Sequence, residues 1–257
     1  MKGDLDCHDL PFIFQSRRIM TPHLSVVIPA YNEEKRLPQS LAAVMAFLKK
    51  QSYGSEIIVS DDGSQDGTVA LARELLKEFP HQVLTTSQNR GKGHAVRQGM
   101  LAATGAYIFF TDADLSTPIE EVPRFVERLE KDQDVVIGSR ALPGSRVEIH
   151  QNFLRETMGK VFNLVAQALA FKGIHDSQCG FKGFRRAAAQ KLFNLQKLDG
   201  FSFDVEIVYL AQKLGYRLLE IPVIWRNSAQ SRVQVLRDPL LMFWDVLRIR
   251  SLHAGCL

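Results

Sequence analysis

Residues 24–34 read LSVVIPAYNEE, a β-branched apolar run that ends abruptly in polar residues. The same pattern returns in the segments EIIVS, QVLTT, YIFFTD and DVVIGS, and amphipathic stretches separate these runs near residues 37–50, 67–79, 91–103 and 119–131. Apolar strands that alternate with helices are typical of a parallel sheet that is covered on both faces and joined by right-handed crossovers. The sequence therefore predicts an α/β fold with a mostly parallel, Rossmann-like central sheet.

The alternation becomes irregular beyond residue 140. The pattern there predicts a strand over the segment LLEIPVIW and helices over residues 153–171, 203–214 and 239–251. Because no repeat or linker separates the two halves, we expect the second half to pack on the first. We divide the chain into a tail over residues 1–22, a main domain over residues 23–235 and a C-terminal amphipathic helix over residues 236–257.

Composition narrows the class of protein. The chain has 257 residues, of which 46% are hydrophobic and 23% charged, so it can bury a core. Its net charge of +4 suits anionic ligands, and we expect no nucleic-acid partner. Cys7, Cys179 and Cys256 lack metal-binding spacing, which argues against zinc and a disulfide framework and indicates a reducing compartment.

Membrane insertion is not expected from the sequence. The first residues include acids where a secretory signal peptide has basic residues. No window supplies the roughly 18 uncharged apolar residues that a spanning helix needs. We therefore expect a soluble or peripheral protein.

Acidic residues follow the apolar runs, at the strand ends where open α/β sheets collect their ligands. Asp112 and Asp114 lie two apart in an extended segment, so both carboxylates face the same side. Without a nearby His or Cys pair, such a site favours Mg²⁺ or Mn²⁺, with waters and substrate phosphates completing the shell. A solvated loop is the alternative, and the position after the most apolar strand favours the metal.

Two further segments are candidates for nucleotide binding. Asp61 and Asp62 close the run EIIVS, where they could cap the next helix or accept hydrogen bonds from a base or a ribose. Lys92 stands between two glycines in NRGKG at the start of a predicted helix. Its ammonium group could neutralise a phosphate or project into water.

Basic residues cluster after the last run of the alternating region, where arginine suits bidentate recognition of phosphate. The cluster comprises Arg140, Arg146, Arg155 and Lys160, with His150 among them. Residues 153–171 and 239–251 carry apolar stripes, which a core-packing helix explains. The second stripe is aromatic and rimmed by arginines, so it equally fits a helix that lies in a membrane interface.

Taken in order, the segments VVIPAYNEE, IIVSDDGSQDGT, NRGKGHAVRQGM, YIFFTDADLS, VIGSRAL and DSQCGFKGFRR resemble the inverting family 2 glycosyltransferases of the GT-A fold. They look most like the dolichyl-phosphate or polyprenyl-phosphate β-glucosyltransferases, over residues 24–243. The resemblance implies a nucleotide-sugar donor such as UDP-glucose and a polyprenyl phosphate acceptor. It also implies Mg²⁺ or Mn²⁺ and peripheral contact with the cytoplasmic side of a membrane.

The resemblance assigns roles to single residues. The base and ribose of the donor would contact Pro29, Tyr31, Glu33 and Asp61, and Asp112 would reach the donor diphosphate through the metal. The residue pattern described above adds Asp62 and Lys92 to this donor-binding set. The acceptor phosphate would contact Arg140, Arg155 and Arg232, the last standing where many relatives have lysine. The metal would be held by Asp112 and Asp114, with Ser116 where related mannosyltransferases have glutamine. Since a hydroxyl is a poorer ligand, we expect a lower metal affinity than in those enzymes.

The acceptor decides whether a general base is needed. A phosphomonoester has a second pKa near ~6, so its oxygen is already anionic at neutral pH. A sugar hydroxyl would need a base, and Asp176 is then the first candidate. Three alternatives remain open: a GDP-mannose-dependent polyprenyl-phosphate mannosyltransferase, a family 2 enzyme that acts on a glycan, and a non-catalytic nucleotide-sugar-binding protein.

Overall fold

The structure is a computed structural model that describes residues 22–149, 153–226 and 238–255. For residues 149, 153–158, 160 and 238–240 it describes the backbone alone. The predicted tail over residues 1–22 therefore lies almost wholly outside the described residues, as do Cys7, His150, Arg232 and Cys256.

Within these ranges the chain forms nine strands and eight α-helices. The strands are β1 (Leu24–Ala30), β2 (Ser55–Asp61), β3 (His81–Thr85), β4 (Tyr107–Thr111), β5 (Val135–Ser139), β6 (Arg146–Ile149), β7 (Phe181–Arg185), β8 (Leu218–Pro222) and β9 (Ile224–Arg226). The helices are α1 (Leu37–Leu48), α2 (Thr68–Leu76), α3 (Lys92–Ala102), α4 (Val122–Lys131), α5 (Phe153–Leu169), α6 (Arg186–Leu195), α7 (Phe203–Lys213) and α8 (Asp238–Leu252).

Seven of these strands form one sheet in the order β3-β2-β1-β4-β7-β5-β8, and β6 pairs with β9 beside it. All neighbours in the large sheet are parallel except β7, which runs antiparallel to both β4 and β5. The predicted α/β fold with a mostly parallel sheet is therefore confirmed. The antiparallel strand β7 was not predicted.

The core has two layers, one on each face of the sheet. Successive residues of β4 point to opposite faces, so Phe109 belongs to one buried cluster and Phe110 to the other. Helices α1 and α4 cover the face of Phe109, and α3, α6 and α7 cover the face of Phe110. Burial on both faces explains why the parallel strands read as continuous apolar runs.

Local sequence explains where several helices begin. Helices α1 and α4 carry Pro38 and Pro123 in their first turns, where the missing N–H would have no helical partner. Helix α3 begins after Gly91, whose φ of 119° is rarely adopted by residues with a side chain. A Cβ at Gly91 would also collide with the carbonyl oxygen of Asp199. This glycine therefore fixes the position of Lys92, the first residue of α3.

The second half packs on the first, as predicted, but strand β6 and helix α6 were not predicted, and one predicted strand differs from expectation. The segment LLEIPVIW is not one strand, because β8 ends at Pro222 and Ile224 begins β9 in the smaller sheet. Helix α8 lies close to the predicted helix over residues 239–251; it buries Val246 and Ile249 and also exposes apolar side chains. Of the helices in the described ranges, none combines the length and apolar character that crossing a membrane requires.

Candidate active site

The carboxyl ends of three neighbouring parallel strands form the candidate site. Strands β2, β1 and β4 lie side by side, and Ala30 at the end of β1 is in register with Asp61 at the end of β2. Asp112 follows directly after β4. Since neighbouring strands are about 4.8 Å apart, the ends of β2 and β4 are separated by about 10 Å. The predicted acids therefore meet at one edge of the sheet.

Asp61 is almost fully buried, and within the described residues only one of its two carboxylate oxygens has hydrogen-bond partners. Its Oδ2 accepts hydrogen bonds from the backbone N–H groups of Gly63 at 3.1 Å and Ser64 at 3.0 Å. Its Oδ1 is buried and has no hydrogen-bond partner within the described residues. A buried carboxylate oxygen without a donor costs free energy, so this oxygen is suited to accept an N–H or O–H from a ligand.

The carboxylate of Asp62 holds the glycine-rich loop in place. It accepts hydrogen bonds from the backbone N–H of Arg90 at 3.1 Å and of Gly91 at 2.7 Å. His94 Nδ1 lies 3.7 Å from Asp62 Oδ1. Burial raises the pKa of Asp62, and the two N–H donors oppose that effect. Asp62 therefore positions Lys92 through the loop, whereas its predicted direct contact with a donor stays a prediction.

Asp112 and Asp114 flank a tight turn after β4. Leu115 adopts a φ of 46°, and its N–H donates to the carbonyl of Asp112 at 3.0 Å. Asp112 Oδ1 lies 2.6 Å from Lys92 Nζ, and the two side chains are 33% and 23% exposed. Asp114 Oδ1 accepts hydrogen bonds from the N–H of Ser116 at 3.0 Å and from its hydroxyl at 2.9 Å. Ser116 thus orients Asp114, and direct metal ligation by Ser116 stays a prediction.

Residues after β1 complete the same edge. Pro29 is buried within β1, and Tyr31 directly after it is half-buried. The carboxylate of Glu33 accepts hydrogen bonds from the Arg36 guanidinium, including one from Nε at 2.6 Å. Arg36 Nη1 lies 3.8 Å from Asp114 Oδ2. Glu33 therefore positions the Arg36 guanidinium beside Asp114, one of the two candidate metal ligands. This role of Arg36 was not predicted from the sequence.

The residues present fit a divalent cation. Two partly exposed carboxylates at one turn supply hard oxygen ligands, which Mg²⁺ and Mn²⁺ prefer. Among the described residues, no group of three or more His, Cys, Asp and Glu side chains forms a complete metal cage. An ion at Asp112 and Asp114 would therefore have coordination positions left for waters or phosphate oxygens, as Mg²⁺ sites usually do.

Arg140 follows β5 at the same edge and is paired with Asp176. Its backbone N–H, Nε and Nη2 donate to the Asp176 carboxylate at 2.9, 2.7 and 2.8 Å. Burial disfavours the charge of Asp176, but the guanidinium outweighs it and lowers the pKa of this carboxyl. The Arg140 guanidinium also lies over the Trp225 ring at 5.4 Å. Asp176 therefore holds Arg140 in place and is poorly suited to the predicted role of general base.

The other predicted phosphate ligands are not tested by the structure. Arg155 lies in α5, but its side chain is not described, and Arg232 lies outside the described residues. Arg146 is the first residue of β6, and its side chain is exposed. Of the predicted basic cluster, Arg140 is the member whose geometry supports a role at the edge of the sheet.

Helices α5 and α8 pack against each other and present an exposed apolar surface. This surface, which we call the α5/α8 surface, comprises Val161, Leu164, Leu241, Phe243, Trp244 and Leu247. Leu164 and Trp244 are 67% and 66% exposed. Large apolar side chains that cluster on an exposed surface commonly mark a contact with a membrane or a protein.

Comparison with known proteins identifies the family. The model of glycosyl transferase family 2 matches residues 25–193. The dolichyl-phosphate beta-glucosyltransferase of Dictyostelium discoideum is 37% identical over 257 residues, covering 95% of this chain and 79% of the relative. The enzyme of that name from Homo sapiens is 34% identical over 255 residues, covering 94% and 78%.

Solved structures show the same fold. Glucosyl-3-phosphoglycerate synthase from Mycobacterium tuberculosis, in complex with Mn²⁺, UDP and phosphoglyceric acid, superimposes with a TM-score of 0.64 at 20% identity. The match covers 91% of this chain and 79% of that one, and it confirms the predicted GT-A fold. This chain therefore belongs to glycosyl transferase family 2 and is a glycosyltransferase.

Proposed function

We propose that the protein transfers glucose from UDP-glucose to dolichyl phosphate or a related polyprenyl phosphate, with inversion and with a divalent cation. The observation that carries the proposal is the meeting of Asp61, Asp112, Asp114 and Arg140 at one edge of the sheet. The names of the relatives supply the substrate class, since they are 32–38% identical over most of the chain. The geometry supports the proposal because it brings acidic residues and an arginine to the same edge of the sheet.

The donor is bound along β2, β1 and β4. Asp61 Oδ1, which lacks a donor in the described structure, accepts an N–H from the base or a ribose hydroxyl. The start of α3 presents backbone N–H groups and Lys92 to the diphosphate. Asp112 and Asp114 hold the cation, which offsets negative charge on the leaving diphosphate when bound.

The acceptor phosphate is bound by Arg140. Its Nε and Nη2 edge is fixed by Asp176, so the guanidinium is oriented before the acceptor arrives. The acceptor oxygen is anionic at neutral pH because a phosphomonoester has a second pKa near ~6. No general base is required, which agrees with the engagement of Asp176 in an ion pair. Positioning is then the main contribution of the protein, and a single displacement inverts the anomeric carbon.

The α5/α8 surface contacts the bilayer that carries the lipid acceptor. Its apolar residues are exposed, and Arg248 and Arg250 of α8 are exposed beside them. Apolar side chains rimmed by basic ones suit the interface of a bilayer that contains anionic lipids. We place this contact on the cytoplasmic side, in keeping with the sparse cysteines of the chain.

Labelled donors test the substrate assignment. The protein is incubated with radiolabelled UDP-glucose or GDP-mannose, dolichyl phosphate and Mg²⁺ or Mn²⁺, and lipid-linked label is measured after extraction. We expect label from UDP-glucose, and Asp114→Ala should abolish it, whereas Glu127→Ala on the exposed face of α4 should not. Transfer from GDP-mannose would identify a mannosyltransferase instead. Label in a glycan rather than in lipid would refute the acceptor assignment.

Vesicle flotation tests the membrane contact. Wild-type protein should float with vesicles that contain anionic phospholipid, and a Leu164→Ser/Trp244→Ser variant should remain at the bottom of the gradient. Leu75→Ser, an exposed leucine on α2, is the matched control and should float like the wild type. If the double variant floats like the wild type, the assignment of the α5/α8 surface is refuted, and the assignment of the donor is unaffected.

A further inference from the structure

A second pair of opposite charges is buried next to Lys92. Lys182 of β7 is fully buried, and its ammonium group donates to the carboxylate of Asp204 and to the carbonyl of Cys179 at 2.7 Å. The ammonium nitrogen also lies 5.0 Å from the centre of the Phe110 ring. Asp204 is 3% exposed and belongs to the first turn of α7.

Helices α3 and α7 begin against each other. A Cβ at Gly93 would lie only 2.7 Å from the Cβ of Phe203, so the first turns of the two helices are in close contact. Lys92 and Asp204 are the chain neighbours of these two residues. Lys92, whose ammonium group contacts Asp112, therefore begins α3 beside the first turn of α7, which carries Asp204.

Stability alone does not explain the Lys182–Asp204 pair. Two charges lose their hydration when they are buried, and apolar residues of similar volume commonly replace such a pair without loss of stability. The position of the pair beside Lys92 is the feature that needs an explanation.

We propose that Asp204, held in place by Lys182, is a positioning residue for Lys92. Asp112 cannot serve Lys92 and a cation with the same oxygen, and its Oδ1 now lies 2.6 Å from Lys92 Nζ. Asp204 offers the Lys92 ammonium group a second carboxylate, so Lys92 can release Asp112 to a cation and still be held beside the donor diphosphate. The inference rests on the proposed function, because it takes the diphosphate site at Asp112 as given.

Binding of Mn²⁺ and UDP tests the inference apart from turnover. Calorimetry gives the Kd of UDP in the presence of Mn²⁺, and thermal unfolding gives Tm, for Asp204→Asn, Lys182→Met and the double variant Lys182→Met/Asp204→Leu. The control is Glu56→Gln, a buried carboxylate at the opposite end of β2 that bonds Ser25 and Thr104. This control should bind UDP like the wild type.

We expect Asp204→Asn to raise the Kd of UDP with Mn²⁺ by about tenfold or more, as loss of a group that orients a metal ligand or its neighbour commonly does. Lys182→Met should lower Tm because it leaves a buried carboxylate unpaired. The double variant should recover that Tm and yet bind UDP as weakly as Asp204→Asn. Recovered stability without recovered binding is the result that a merely structural pair would not give.

Three results would overturn the inference. A double variant with wild-type Kd would show that the pair serves stability alone. An Asp204→Asn variant that binds UDP normally and loses turnover would show that Asp204 acts on the reaction itself. Failure of the wild type to bind either UDP or GDP with Mn²⁺ would refute the proposed donor site, and the inference would fall with it.

Discussion

Gly180 controls the position of Asp112, and replacing it by alanine gives the sharpest test of the site. Gly180 directly precedes β7, and its carbonyl accepts a hydrogen bond from the Asp112 N–H at 3.2 Å. A Cβ at Gly180 would lie 1.9 Å from Asp112 Oδ2. Since real Cβ atoms essentially never come within 3.0 Å of such a neighbour, the carboxylate must move by at least 3.0 − 1.9 = 1.1 Å.

A displacement of this size should be costly for catalysis and mild for stability. Reactive groups must stay within roughly 0.5 Å of their productive positions, and an error of ~1 Å can lower the rate by on the order of 100-fold. The Asp112 side chain is 33% exposed, so it can turn toward solvent without disturbing the core. We therefore expect Gly180→Ala to change the free energy of unfolding by no more than about 1 kcal/mol.

The assay measures kcat/KM for glycosyl transfer over a range of Mn²⁺ concentrations, together with Tm. Gly180→Ala should lower kcat/KM by on the order of 100-fold and shift metal saturation to higher Mn²⁺. Gly200→Ala is the matched control, because its new methyl group would meet no atom within 4 Å. A Gly180→Ala enzyme that keeps wild-type kcat/KM and metal dependence would refute the placement of Asp112 as a metal ligand.

The remaining predictions concern Asp61, Asp176 and Cys179. Asp61→Asn should raise the Kd of UDP by about tenfold or more, because a hydrogen bond to a charged group contributes about 1.5–3 kcal/mol; unchanged binding in calorimetry would contradict a role for its unbonded Oδ1. The pKa of Asp176 is lowered because the attraction of Arg140 outweighs the effect of burial. The carboxylate therefore stabilises the fold at pH values above its unfolded pKa. This contribution is lost as the pH falls through its folded pKa. Asp176→Asn should therefore flatten the acid limb of unfolding free energy against pH in urea titrations, and parallel limbs would refute the pair. Burial raises the pKa of Cys179 to about 11, so in a variant whose other two cysteines are serine this thiol should react with a thiol reagent only on unfolding, and rapid labelling of the native protein would contradict the burial.

The sequence predicts the strands that are buried on both faces and misses β6, β7 and helix α6, of which β7 lies inside the large sheet. Strands β1, β2, β4 and β5 are continuous apolar segments, so their bounds are nearly those observed. Strand β7 reads FKGFR, and its two basic residues and glycine hide it. Its Lys182 is tolerated in the core because Asp204 neutralises it, a contact across 22 residues that no local pattern reveals.

The position of Pro222 explains why the segment LLEIPVIW was wrongly predicted as one strand. Strand β8 is the last strand of the large sheet, and it ends at Pro222. Proline cannot donate to a neighbouring strand, so it is confined to edges and ends of sheets. After it the chain pairs with β6 instead, as the register between Arg146 and Ile224 shows. A single apolar segment in the sequence therefore serves two sheets.

The site residues that follow the ends of parallel strands could be predicted from the sequence. The ion pairs between residues far apart in the chain could not. Asp61, Asp112 and Asp114 follow apolar runs, and parallel strands bring such ends together. The partner of Asp176 could not be inferred, because Arg140 lies 36 residues earlier in the chain. Asp176 orients Arg140 through this pairing, and its role as a base for a hydroxyl acceptor stays a prediction.

The residues that take part in the proposed reaction lie in a row, in an order that follows the order of the strands in the sheet. Strand β2 ends at Asp61, β4 leads into Asp112, and β5 leads into Arg140. Because β7 is inserted between β4 and β5, the ends of those two strands are separated by about 10 Å. Gly180, directly before β7, lies at this point, and the Asp112 carboxylate occupies the space that a side chain there would need. In the proposed reaction the distance between the ends of β4 and β5 separates the diphosphate from the acceptor phosphate, which is where the transferred sugar must be held.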